Sequence, residues 1–271
     1  MQDGPHLKKE DGKITMTPLP SEERVTRSMS FGLVAEEYDR YRPKLPEAAL
    51  DWLLPPECQT ALDLGAGTGA ATRVLAGRVP HVIAVEPDPR MRAVIARDTP
   101  QAQVLEGRAE AIPLKDGSVE VVLVCSAWHW MDPDLAVPEI ARVLRPGGVW
   151  GIMWNGLDRG VPWVAELRNL IRHSDPDEER LDAHRPENVR LPEGAPFLTP
   201  QIDTIPWTGR TNVHNLLGAL GTFSSVIILP PEERAEVLAR ARRFLDSHYA
   251  GTDGEMASVP MACRCWKAVR L

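Results

Sequence analysis

The chain has 271 residues, 43% of them apolar and 25% charged, a balance that fills one sizeable globular core without disulfide or metal staples. Its formal charge of −7 lacks the basic excess of a dedicated nucleic-acid binder, and no run approaches the roughly 20 apolar residues of a membrane span. The four cysteines, Cys58, Cys125, Cys263 and Cys265, match no zinc-ligand spacing, so no metal is expected and they read as reduced thiols of a cytoplasmic protein.

Residues 1–25 are polar, with no apolar core of a secretory signal, and are expected to form a mobile leader. Residues 26–271 then read as one domain. A short helix is expected over Leu45–Leu54, with Pro46 in its first turn and Pro55-Pro56 stopping it. An alternation of strands and helices follows. Strands are predicted at Thr60–Leu64, His81–Glu86, Ala102–Leu105, Val119–Cys125 and Val149–Trp154. Helices are predicted at Gly69–Ala76, Pro89–Arg97 and Leu135–Leu144. Val119–Cys125 is almost continuously apolar, as a strand buried on both faces must be. The rhythm predicts an α/β fold with a parallel sheet and right-handed crossovers.

Beyond Asn155 the rhythm breaks. Val164–Ile171 reads as a helix, 175–200 as loops, Ile202–Trp207 as a strand, Val213–Leu229 as an apolar stretch and Glu232–Ser247 as a charged helix. Pro260–Leu271 alternates and is expected to be a final edge strand. Part of 155–230 is read as a cap insertion over a substrate pocket.

The stretch TALDLGAGTGA, residues 60–70, fits two templates. Gly65, Gly67 and Ala70 fit the dinucleotide turn G-x-G-x-x-G/A. Asp63, Gly65, Gly67 and Gly69 fit D-x-G-x-G-x-G. Asp63 decides between them: a carboxylate at the strand end repels a pyrophosphate and suits a ligand bearing an ammonium or other cation. Glu86 ends the second strand, where a carboxylate takes a ribose diol.

The set LDLGAGTG, VIAVEPDPRM, GRAEAIPLKDGSVEVVLV, SAWHWMDP and LRPGG resembles the class I S-adenosylmethionine (SAM)-dependent methyltransferases, and within them the type 11 small-molecule family. The resemblance spans roughly residues 30–155. It implies a Rossmann-like, seven-stranded, mostly parallel sheet of order 3-2-1-4-5-7-6, with the last strand antiparallel and an N-terminal helical lid. It implies SAM as cofactor and S-adenosylhomocysteine as product. It places the methionine part by Asp63 and the glycines Gly65, Gly67 and Gly69, and the ribose on Glu86, with Ala66 and Pro87 also among the cofactor-binding residues. Met91, Ala109 and Glu110 would meet the adenine, and Ser126 would border the sulfonium. Tyr38, and with it Arg42, would cover the methionine end.

Trp128, His129 and Trp130 follow the fourth strand at its carboxyl end, in the crevice where such sheets hold ligands. The two indoles either wall an acceptor pocket or pack between strand and helix. His129 is the first candidate for a general base, by position and by its ordinary titration near neutrality. His214 is the second, and Trp154 and Phe223 are further candidates for the pocket. The partner implied is a small-molecule acceptor, methylated on O, N or C, with no nucleic acid or membrane and a monomer or homodimer as the unit. Two rival readings are a related fold that binds SAM without methylating and a nicotinamide-dependent oxidoreductase.

Overall fold

The apolar runs predicted as strands assemble into one sheet. In chain order they are β1 (Thr60–Leu64), β2 (His81–Val85), β3 (Gln103–Leu105), β4 (Val119–Cys125), β5 (Leu144–Leu157), β6 (Gln201–Thr211) and β7 (Ala257–Val269). The structure is a computed structural model describing residues 9–10, 13–14, 35–171, 186–249 and 256–271. The order is β3-β2-β1-β4-β5-β7-β6. The first five strands are parallel, and β7 runs antiparallel to both of its neighbours. The expectation for the leader falls mostly outside the described residues; Lys9–Glu10 and Lys13–Ile14 pair as two short antiparallel strands.

The helices are α1 (Ala35–Tyr41), α2 (Glu47–Leu53), α3 (Ala70–Ala76), α4 (Pro89–Asp98), α5 (Pro133–Val143), α6 (Pro162–Ile171), α7 (Val213–Gly221), α8 (Ser224–Ile227) and α9 (Pro231–His248). Both α4 and α5 begin on an Asp cap followed by Pro: Asp88 accepts from the Arg90 N–H and Asp132 from the Asp134 N–H. Leu50 and Leu53 of α2 and Leu75 of α3 bury against Val121, Leu123 and Met153 on one face of the sheet. Ile140 of α5 packs with Val122, Val124, Trp150 and Ile152 on the other. Beyond the sheet end, α6, α7 and α9 close a further core with Val259 and Met261 of β7.

One expectation is corrected. The final strand is not an edge: β7 lies between β5 and β6, and Cys263, Cys265 and Trp266 are fully buried there. The edge is β6, whose residues are mostly exposed and which carries Pro206. A proline lacks the N–H that a central ladder needs, so an edge tolerates it. Within 155–230, β6 belongs to the central sheet, while α6, α7 and α8 form the part that lies beyond it. Arg145-Pro-Gly-Gly148 is a bulge in β5: the register with β4 jumps from Val119↔Leu144 to Val121↔Val149. Among the described residues no helix is long and apolar enough to cross a membrane.

The fit of α2 to the sheet depends on Gly151, where an added Cβ would stand 2.8 Å from Leu53 Cδ2. Leu53 is buried and cannot swing aside. Gly151→Ala is expected to cost about 1–3 kcal/mol through overpacking, read as a lower urea midpoint at unchanged slope. An unaltered midpoint would show that α2 is free to shift.

Candidate functional site

Strand β1 runs straight into the glycine loop. The N–H groups of Gly65 and Ala66 both donate to the Val85 carbonyl, at 2.9 and 3.1 Å, which ties the loop to the end of β2. Gly65 has φ +69°, and a Cβ there would stand 2.9 Å from Ala127 Cβ, so both conformation and space demand glycine. Gly67 has φ +57°, but its missing Cβ faces open space bounded by Met91 Sδ at 3.9 Å. The first glycine lets the loop pack; the second leaves room above the backbone. Gly69 precedes α3 in the left-handed region, and Ala66 packs beneath on Ala84 and Ile95.

Asp63 is wholly buried. Its Oδ2 accepts from Thr72 Oγ1 at 2.6 Å. Its Oδ1 is buried with no hydrogen-bond partner. Burial pushes this carboxyl up to about 6, against the opposing pull of the Thr72 hydroxyl. Glu86 is also buried, and it receives the Gly67 N–H on Oε2 at 2.8 Å and the Asp88 N–H on Oε1 at 2.9 Å. Burial raises it as well. Each Glu86 oxygen keeps a second lone pair for a hydroxyl donor. Pro87 follows, its carbonyl accepting from Arg92 Nη1 at 2.7 Å. Met91 is buried with Ala35 and Val94, which brings α1 against α4. Ala109 sits in the core below β2, and Glu110 accepts the Asp132 N–H at 2.9 Å, so its carboxylate also holds the start of α5.

At the end of β4, Ser126 has φ +55°, a left-handed conformation uncommon for a residue with a side chain. Its N–H donates to the Met153 carbonyl at 2.8 Å. Such strain collects at functional sites. Here it reverses the chain into a one-turn helix, Trp128–Trp130. Trp128 points into the core, edge-to-face on Trp150 with centroids 4.9 Å apart. Trp154 is buried in the same cluster. Both rings therefore pack in the core. Trp130 lies beside His129, centroids 4.6 Å apart. Burial, aided by the Arg42 guanidinium, pushes the His129 imidazole down to about 3. The expectation that His129 titrates near neutrality is thereby corrected: desolvation disfavours the imidazolium, and so does a neighbouring cation.

Lid and cap meet over this strand end. His214, exposed on α7, lies with Nε2 3.2 Å from the Tyr41 hydroxyl. The Tyr41 ring sits on Gly218, where a Cβ would come within 2.5 Å of it. The Arg42 guanidinium lies 5.8 Å over the ring of Phe223. Asn155 Nδ2 donates to the Lys44 carbonyl at 2.9 Å, and its Oδ1 accepts from Trp207 Nε1 at 2.9 Å. The side chain of Tyr38 lies outside the described residues.

Sequence reading missed Thr72 and Asn155, and it placed Tyr41 in the covering segment without its contacts to Gly218 and His214. Thr72 was legible in principle, nine residues after Asp63 and one turn into α3. Asn155 and the Tyr41–Gly218 contact join segments more than 100 residues apart, and no local pattern marks them.

A family profile described as a methyltransferase domain matches residues 62–152. An uncharacterized methyltransferase of Mycobacterium tuberculosis strain H37Rv is 42% identical over 242 residues, covering 89% of this chain and 96% of its own length. An uncharacterized methyltransferase-like protein of Schizosaccharomyces pombe is 33% identical, covering 78% of this chain and 83% of its own. A solved structure from Anaeromyxobacter dehalogenans, provisionally named a type II methyltransferase, superposes with a TM-score of 0.62 at 27% identity, over 85% of this chain and 98% of that one. The chain belongs to the class I methyltransferase family.

Asp63 carries a pH signature. Its folded pKa of about 6 lies above the ordinary 3.8. The stability it contributes is therefore full below pH 4 and lost as the pH rises through 6, a swing on the order of 2–3 kcal/mol. Asp63→Asn keeps the shape and removes the titration. The gap in unfolding free energy between wild type and variant should move by that amount between pH 4 and 7.5 in urea melts. A constant gap would mean that Asp63 is solvated as it ionises.

Proposed function

We propose that the chain binds S-adenosylmethionine across the carboxyl ends of β1, β2 and β4 and passes its methyl group to a small-molecule acceptor, leaving S-adenosylhomocysteine. The observation that carries this reading is the orphaned Oδ1 of Asp63, a buried acceptor beside an open glycine backbone. Such an atom costs free energy until a donor reaches it. An ammonium meets that need, and the methionine end of this cofactor carries one. A pyrophosphate would meet a buried anion, and it would find the Gly67 N–H already donating to Glu86. This counts against a nicotinamide cofactor.

In this reading Asp63 holds the ammonium and Glu86 the ribose diol, with Pro87 beside it. Met91 and Ala109 bound the adenine edge, with Glu110 next to them. Ser126, at the end of β4, borders the reacting end. Bound there, the cofactor supplies an electrophilic methyl on a sulfonium whose leaving group is a neutral thioether. What the protein adds is orientation and exclusion of water. Tyr41, Arg42, His214 and Phe223 cover the acceptor side. His129, neutral through the physiological range, accepts a hydrogen bond from the attacking atom and orients it. As a base it is weak, so it suits an acceptor that reaches the site already able to attack.

Calorimetry with S-adenosylhomocysteine tests the cofactor. Glu86→Ala should weaken it about tenfold or more, since a hydrogen bond to a charged group contributes roughly 1.5–3 kcal/mol. The ammonium draws Asp63 into its ionised form, so wild-type affinity should fall as the pH drops below about 6. Asp63→Asn should bind weakly at every pH. Tight binding of NADH with none of S-adenosylhomocysteine would reject the reading. Single-turnover methyl transfer from labelled SAM to a product isolated from cell extract should show no rate limb near pH 6.5 that disappears in His129→Ala. Such a limb would restore His129 as a general base.

A further inference from the structure

We infer that Arg142 is a positioning residue for the adenine side of the cofactor site. Together with Glu139 it holds the turn that presents Ala109 and Glu110, and through that turn it sets the selectivity for the cofactor's base. The inference rests on the cofactor reading above and adds to it a residue that acts on the turn rather than on the ligand.

Between Leu105 at the end of β3 and Val119 at the start of β4 the chain forms no helix or strand. Such a segment needs hydrogen bonds from elsewhere to keep one shape. It turns at Arg108–Ala111, where the Ala111 N–H donates to the Arg108 carbonyl at 3.1 Å and Ala109 and Glu110 are the two central residues. Gly107, just before the turn, is wedged. A Cβ there would stand 2.7 Å from Pro113 Cδ and 3.0 Å from Val85 Cγ1, so the stem closes on itself and on the end of β2. Helix α5 holds the rest. At its start the Asp132 N–H donates to Glu110 Oε1 at 2.9 Å. Near its end Glu139 Oε2 accepts the Ile112 N–H at 2.8 Å. Arg142 donates from Nη2 to the Ile112 carbonyl at 2.9 Å and from Nη1 to the Leu114 carbonyl at 2.7 Å.

The remaining donors of Arg142 are also used. Nε and Nη2 reach the two oxygens of Glu139 at 2.7 and 2.8 Å, and Nη1 reaches Asp116 Oδ1 at 2.9 Å. All five N–H groups of the guanidinium thus have an acceptor in place. The Arg142 carbonyl in turn accepts the Gly117 N–H at 2.8 Å, which fixes the far end of the same segment. A partly exposed ion pair contributes little to stability by itself. Two of these bonds go instead to loop carbonyls that have no strand partner, so their effect falls on where the turn stands. A turn held in place before the ligand arrives binds it without the entropic cost of being ordered. Lysine keeps the charge but has three donors at one point, and it cannot reproduce the fork.

The test separates positioning from plain stability. Wild type, Arg142→Lys, Arg142→Met and Glu139→Gln are titrated calorimetrically with S-adenosylhomocysteine and with S-ribosylhomocysteine, which keeps the ribose and the amino acid and lacks the base. Gly151→Ala is the control, because it disturbs the packing of α2 on the opposite face of the sheet. Melting curves confirm folding. Wild type should prefer S-adenosylhomocysteine by about a hundredfold, from burial of the base and its hydrogen bonds. That preference should shrink about tenfold in Arg142→Met and less in Arg142→Lys and Glu139→Gln, while S-ribosylhomocysteine affinity stays within about threefold. Gly151→Ala should keep the wild-type preference. If Arg142→Met does not fold, the same ratio in Arg142→Lys and Glu139→Gln decides. The inference is overturned if the substitutions lower the melting temperature and leave the ratio unchanged, as in the control, or if both ligands weaken equally. It is also overturned if wild type does not distinguish the two ligands, because the turn then reads no base. Failure of wild type to bind either ligand would remove the cofactor reading, and this inference with it.

Discussion

Asp63 is carried into the interior by the strand before it, and the fold satisfies only one of its oxygens. Thr72 supplies a hydroxyl to Oδ2, while Oδ1 stays buried without a partner. An arrangement like this persists because its surroundings impose it. Leu62 and Leu64 fix β1 in the centre of the sheet, between β2 and β4, and leave the intervening side chain no route to water. The glycines that follow cannot shield it, and the helix that begins at Ala70 offers Thr72 alone. The result is a buried charge site with half its hydrogen bonding reserved. A buried acceptor without a partner costs free energy that a donor reaching it would recover, which is why the proposed cofactor's ammonium fits this atom.

Around that point the fold divides its work. The ladder β3-β2-β1-β4-β5 is conventional α/β construction, covered by helices on both faces. The extension β5-β7-β6 continues past the core as far as the Leu157↔Met261 and Thr211↔Ala257 pairs. It carries α6, α7 and α9 beyond the sheet end. Asn155 stands where the two parts meet. With one amide it holds the Lys44 carbonyl of the lid and the Trp207 indole of β6. The segment after α1 and the edge strand β6 are therefore both tied to the same residue of β5.

The charges at the carboxyl end of the sheet follow the same division. Burial lifts the carboxyls of Asp63 and Glu86 and lowers the imidazole of His129. Each shift has the sign that desolvation dictates, and each moves the group toward its neutral form. Near pH 6 a cationic ligand would draw Asp63 further into its ionised form, whereas His129 needs nothing to remain neutral. A histidine's position in the sequence says where it lies along a motif. Its surroundings decide whether it titrates.

The sequence by itself determined the sheet, its glycine loop and the two acidic strand ends. Those features are local: a run such as Val119–Cys125 is apolar because both faces are covered, and Asp63-x-Gly65-x-Gly67-x-Gly69 lies within one turn of chain. It also determined that Glu86 follows a buried strand, which places its carboxylate at the carboxyl edge of the sheet. It misread the last strand as an edge, because alternation records which face is covered and not how many neighbours a strand has. The strand order implied by the family resemblance did place β7 between β5 and β6, as the structure has it; only the tertiary structure turned Trp128 into the core, and brought Arg42 to Phe223 and Tyr41 to His214. Those contacts join residues separated by up to 181 positions in the case of Arg42 and Phe223. They are set by packing and desolvation between segments, which no short window of sequence contains.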